Sequence, residues 1–224
     1  MMLHLGTDWG LCLYIDPSNE DYYKKIAEDH FINPDQIVWI INDLSNFNAI
    51  EYSTLFMDIS FWEALPGERI LIFHADSWML KNDISDYLKY DYVGAPWSWH
   101  RKHDKVGGNG GFTLRNKSVM INILKKRDEE SNEVKKFGYN DEVEKEDVFF
   151  SNTMMQNEGY VLPEYNVAKK FSTETMYYHD PIGFHQVYDK YSYERFYYLF
   201  RNYDIDMSAK TLLNFTGTTD KNIK

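Results

Sequence analysis

Cysteine is almost missing from this chain of 224 residues, with Cys12 standing alone. One thiol can form neither an intrachain disulfide framework nor a thiolate zinc site. Its place within the apolar stretch 11–15 reads as a buried core thiol. Positive charge is also scarce: 24 Lys and Arg face 35 Asp and Glu, for a net charge of −11. That balance argues against nucleic acid, whose phosphates need a basic face. A nucleotide ligand stays admissible, because a divalent cation reverses the local sign. No run approaches the roughly 20 apolar residues of a membrane-spanning helix. The first residues also lack a basic region followed by an apolar one. The expectation is an intracellular, cytoplasmic chain with no membrane span. Internal repeats are absent, and neither a Walker pattern nor a dinucleotide Gly-x-Gly-x-x-Gly stands between a strand and a helix.

Aromatic residues are abundant, with 18 Tyr, 14 Phe and 6 Trp making 17% of the chain. They suit a sugar-stacking groove as well as an aromatic-rich core. The hydrophobic share of 43% suffices for one sizeable core, so a single domain over 1–210 and a polar tail over 211–224 are expected. Apolar runs predict strands at 11–15, 36–41, 70–73 and 92–96, the last stopping at Pro96. Helices are predicted over 20–30, from Tyr52 to just before Pro66, and over 146–156. A glycine-rich loop, 107–111, is read as opening a helix in which Val119/Ile123 and Met120/Leu124 are in register. The charge-rich stretch 128–145 reads as surface loop, 160–170 as containing a strand, and 188–203 as an aromatic helix. Strands alternating with helices predict an α/β fold with a mostly parallel central sheet.

Four places carry candidate chemistry. Strand 70–73 delivers His74 and Asp76 at its carboxyl end, where open α/β sheets bind ligands. A carboxylate there suits a hard cation such as Mg²⁺ or Mn²⁺, and equally suits the cap of a helical turn. His74 reads as a second ligand, a nucleotide contact or a satisfied core histidine. Gly107 to Phe112 permits close backbone approach and can present amides to phosphate or sugar oxygens, or simply connect two elements. Trp97 and Trp99 flank it, which favours a shaped loop. Glu146 and Asp147 open an apolar helix, a position that helix electrostatics alone explain; the functional reading is a general base within hydrogen-bond reach of an acceptor hydroxyl. His185 follows a Pro/Gly turn and reads either as a structural histidine or as a late ligand that closes a metal site.

Together these segments resemble a family of uncharacterised GT-A-like glycosyltransferase domains of microbes and large DNA viruses. The resemblance rests on Phe61-Trp62-Glu63, the segment Ile70 to Ser77 and the segment Asp91 to Trp97. It continues through Gly108-Asn109-Gly110-Gly111-Phe112-Thr113-Leu114-Arg115, Glu146 to Phe150, Ala168 to Glu174 and Pro181 to His185. It implies a GT-A-like single domain with flanking helices, lacking the usual first strand–helix unit. It further implies a nucleotide-sugar donor, a glycan or other hydroxyl acceptor, and Mn²⁺ or Mg²⁺ held by Asp76 and His185. His74 stands where the first Asp of an Asp-x-Asp motif is usual. Asp147, with Glu146, would supply the base for an inverting transfer. His74, Trp97, Gly108, Asn109, Gly110, Gly111 and Phe112 would line the substrate pocket. A catalytically impaired relative that binds glycan or nucleotide, and a metal-dependent hydrolase using Asp76, Asp147 and His185, are the alternatives. A viral source would put the chain in the host cytoplasm.

Overall fold

A computed structural model describes residues 5, 8–30, 34–42, 48–134, 145–187 and 192–200. They form an α/β fold of helices and three small sheets. The chain divides into two compact units, one drawn from Met1–Glu68 and Lys117–Glu146, the other from Arg69–Asn116 and Asp147–Lys224.

In the first unit, β1 (Leu11–Ile15) pairs in parallel with β2 (Ile37–Ile41), Leu11 opposite Ile37. Parallel neighbours need a crossover, and helix α1 (Glu20–His30) supplies it. The predicted long helix from Tyr52 is two helices, α2 (Ala49–Phe56) and α3 (Ile59–Ala64). The break has a local cause. Asp58 accepts a hydrogen bond from Ser60 N at 2.8 Å and so starts a new helix. Asn48 and Glu51 cap α2 reciprocally, with Asn48 Oδ1 accepting from Ile50 N at 2.8 Å and Asn48 N donating to Glu51 Oε2 at 2.7 Å. Trp62 is fully buried, and its indole N–H donates to Phe56 O at 2.8 Å. It meets Phe56 and Phe61 edge-on. Helix α4 (Lys117–Val134) packs on α3. It carries the charge-rich stretch on as helix through Val134, where surface loop was expected. The rest of that stretch, 135–144, lies outside the described residues.

The second unit holds the candidate chemistry. Strands β3 (Arg69–Phe73), β4 (Ser77–Met79), β5 (Tyr92–Ala95) and β6 (Asn109–Asn116) precede the short β7 (Ser172–Thr173) and β8 (Gly183–His185). Helices α5 (Glu146–Met155), α6 (Tyr165–Phe171) and α7 (Tyr193–Phe200) are the remaining described α-helices. The sheet order is β3–β6–β5, antiparallel throughout, so the mostly parallel central sheet expected from the sequence is corrected. Strand β6 lies between the other two and its residues 110–115 are buried. A strand covered on both faces gives the same unbroken apolar pattern whichever way its neighbours run.

Strand β6 also overturns the reading of 107–111 as a loop opening a helix. The chain enters the strand at Asn109, and α4 begins only after Asn116. Aromatic and β-branched residues in Phe112-Thr113-Leu114 favour the strand, and its glycines serve close approach. Gly108 has φ +155°, and a Cβ there would fall 2.5 Å from Ala95 O. The expected strand within 160–170 is instead α6, whose Ala168 and Phe171 are buried. The tail assigned to 211–224 lies outside the described residues, as do both ends, 188–191 and 201–203, of the helix expected over 188–203. None of the described helices is long and apolar enough to cross a membrane.

Candidate functional site

Strand β3 ends at Phe73, and His74, Ala75 and Asp76 form the turn into β4. Backbone bonds hold that turn rigidly. His74 N donates to Gly111 O at 2.9 Å, extending the β3–β6 ladder by one residue. Ser77 Oγ donates to the same Gly111 O at 2.7 Å, and Ser77 N donates to His74 O at 3.0 Å. Strand β4 then pairs with β8 so that Ser77 lies opposite His185. That register brings a histidine from late in the chain onto the end of β3.

His74, Asp76 and His185 consequently converge, one potential ligand atom from each lying within 4.8 Å of the others. His185 Nε2 is 3.2 Å from His74 Nδ1 and 3.3 Å from Asp76 Oδ1. The two imidazoles meet edge to face at 86°, with centroids 4.9 Å apart. Gly111 shapes this contact. A Cβ at that position would fall 2.4 Å from Cγ, Cδ2 and Nδ1 of His185, so the ring packs directly on the glycine backbone. The Nδ1 of His185 is buried with no hydrogen-bond partner among the described residues. Ring orientation therefore rests on Gly111 and on the Nε2 contacts.

Electrostatics set the protonation of the group. Burial, followed by the neighbouring His185, pushes the His74 imidazole down to about 4; Asp76 opposes this and Arg115 adds to it. The hydrogen bond with His185 holds the Asp76 carboxyl below its ordinary value, against a smaller opposing effect of burial. At neutral pH His74 is thus a neutral imidazole and Asp76 a carboxylate, the forms in which each binds a cation. The two separations from His185 Nε2 fit as well: donor atoms about 2.1 Å from one ion stand roughly 3.0 Å apart at right angles and roughly 3.4 Å apart at the tetrahedral angle. Among the described residues, His74, Asp76 and His185 are the group able to hold a metal.

The remaining sequence-derived candidates fall into two sets. Asp147 adjoins the site. Its Oδ2 accepts from Gly110 N at 3.1 Å, one residue from the glycine that packs on His185, and its Oδ1 accepts from Val148 N at 2.8 Å. Glu146, in contrast, is 2% exposed and does not face solvent. Three of the glycine amides, those of Gly108, Gly110 and Gly111, bond to side chains of the protein itself. Gly108 N donates to Ser151 Oγ at 2.9 Å, and Gly111 N donates to Asn109 Oδ1 at 2.8 Å. Phe112 is fully buried against Phe171 and belongs to the core, not to a pocket.

Trp97 is buried too, but stacks at 11° and 5.3 Å on Trp99, which is 64% exposed. The exposed indole of this pair is therefore Trp99. Sequence reasoning missed the supporting roles of Ser77 and Gly111. Only the pairing of β4 with β8 could have revealed them.

The family described as "Protein of unknown function (DUF5672)" matches residues 39–185, which include all three residues of the His/Asp group. No curated protein matches the chain.

Proposed function

The chain belongs to the DUF5672 family, and from its site we propose a metal-dependent glycosyltransferase that moves a sugar from a nucleoside diphosphate to a hydroxyl acceptor. The observation that carries this reading is the convergence of His74, Asp76 and His185 at the end of a buried strand. Asp76 and His185 hold the cation in a GT-A-like arrangement, with Mn²⁺ or Mg²⁺ as the ions first expected. A divalent ion there would neutralise the diphosphate as the glycosidic bond breaks. Asp147 accepts the acceptor proton, giving inversion by direct displacement. Its carboxylate sits on the strand that carries Gly111 and is partly exposed. Glu146 supports the start of α5. Trp97, through its stacked partner Trp99, offers an aromatic face on which a sugar ring can rest.

A second reading is favoured by the same convergence. Three ligands that leave coordination positions open also suit a metal-dependent hydrolase, in which bound water attacks a phosphate or ester. Thermal unfolding against a panel of nucleotide sugars, with and without Mn²⁺, separates the two. Ligand that binds only the native state raises stability as RT ln(1 + [L]/Kd). The transferase reading expects a rise that needs both the metal and one nucleotide sugar. No rise with any donor, from a folded sample, overturns it in favour of an impaired relative. Release of phosphate or ester product in the absence of donor points to the hydrolase.

A further inference from the structure

The donor atoms at the site are unlike those of an all-oxygen magnesium site. Two of the three converging groups are imidazoles and one is a carboxylate. From this set we infer that the site selects a first-row transition-metal ion of the zinc, cobalt or iron(II) class and discriminates against Mg²⁺. The inference deepens the proposed function, since it concerns the cation of that same site.

The chemistry behind it is ligand softness. Imidazole nitrogen suits Zn²⁺, Fe²⁺, Co²⁺ and Ni²⁺, whereas Mg²⁺ prefers oxygen donors and dehydrates reluctantly. His74 is the deciding residue. With a carboxylate at that position, Asp76 and its neighbour would offer oxygen to a hard cation. With His74, nitrogen outnumbers oxygen two to one. His74 Nδ1 and Asp76 Oδ1 lie 3.2 and 3.3 Å from His185 Nε2, and one ligand atom from each of the three residues lies within 4.8 Å of the others, so the elements β3, β4 and β8 already gather the set. His74 is moreover anchored by its own backbone N–H to Gly111 O. Among divalent first-row ions, affinity for such a site rises from Mn²⁺ through Co²⁺ towards Zn²⁺.

The test is direct metal binding to the full, chelator-stripped chain, with no nucleotide sugar present. Isothermal titration with Zn²⁺, Co²⁺, Mn²⁺ and Mg²⁺ should place Mg²⁺ last, weaker than Zn²⁺ by a factor on the order of 100 or more. Bound Co²⁺ should give visible absorption that reports nitrogen ligation. His74→Ala should lower Zn²⁺ affinity at least about tenfold and alter the Co²⁺ spectrum, while His103→Ala, at an exposed histidine, should do neither. His74→Asp should narrow the gap between Zn²⁺ and Mg²⁺. If His74→Ala fails to fold, His74→Gln takes its place, and the wild-type metal ranking decides in any case. Magnesium binding as tight as zinc, or a His74 variant with unchanged zinc affinity and cobalt spectrum, overturns the inference. Because no donor is involved, transferase activity that depends on Mg²⁺ would sink this inference and keep the function. Tight zinc binding without any donor response would do the reverse.

Discussion

Replacing Gly111 by alanine tests the packing of the site and its chemistry together. The new Cβ would lie 2.4 Å from three atoms of the His185 ring, against 3.4 Å for ordinary contact, so the imidazole must withdraw by about 1 Å. It cannot do so freely, because His185 is held in β8 opposite Ser77. Overpacking of this kind costs about 1–3 kcal/mol. For a chain of this length each kcal/mol lowers the melting temperature by roughly 2–4 °C. The withdrawal also pulls His185 Nε2 off His74 and Asp76. Loss of support for a ligand of this kind weakens metal binding about 10–100-fold. The assay is calorimetric unfolding in chelator, followed by zinc titration, on wild type, Gly111→Ala and Gly159→Ala. The last is a control, since a Cβ at Gly159 meets nothing within 4 Å, and its effect should stay within about 0.5 kcal/mol. A Gly111→Ala protein that melts and binds zinc like wild type would refute the claim that this glycine seats the histidine.

Asp76→Asn removes the only carboxylate of the converging group and should abolish metal-dependent donor binding in the thermal assay with the fold intact; unchanged binding rejects the ligand assignment. Asp147→Asn keeps an oxygen for Gly110 N but cannot take up a proton. Transfer should fall while donor affinity holds, and retained turnover eliminates Asp147 as base. The pH dependence of stability carries a contribution from His100, a buried residue whose imidazole, like that of His74, is pushed down to about 4, here by burial and then by His103. An unfolded histidine titrates near 6.5, so between that pH and about 4 the unfolded chain binds a proton that the folded one excludes. Stability should therefore fall as pH drops through this window, and His100→Phe should flatten the slope in melting curves; an identical slope removes His100 as the cause.

Apolar runs and caps made β1, α1, β2, β3 and β5 legible in the sequence, because each depends on residues close together in the chain. Asp76 and His185 were separately recognisable as candidates, the first by its place at a strand end. The resemblance put both on one cation, but the residues themselves could not show how they meet, which depends on Ser77 pairing with His185 across the unit. The glycine run misled for a physical reason. Glycine marks both open loops and backbone too crowded for a side chain, and Gly108 and Gly111 belong to the crowded kind. Phe112, which the family resemblance put in the substrate pocket, is core.

The separation of 111 residues between His74 and His185 gives the centre a place in time as well as in space. A segment of that length must be brought to closure before its two ends can share an ion, and loop closure is paid for before the contact rewards it. The nascent or unfolded chain therefore offers at most the local pair His74 and Asp76 to a metal, and the full chelating set exists once β8 has docked on β4. Uptake of the ion would mark completion of this unit, and a bound ion would resist the undocking of its last strand. In a pulse-refolding experiment, metal capture should coincide with the final folding phase and be silent in every earlier one.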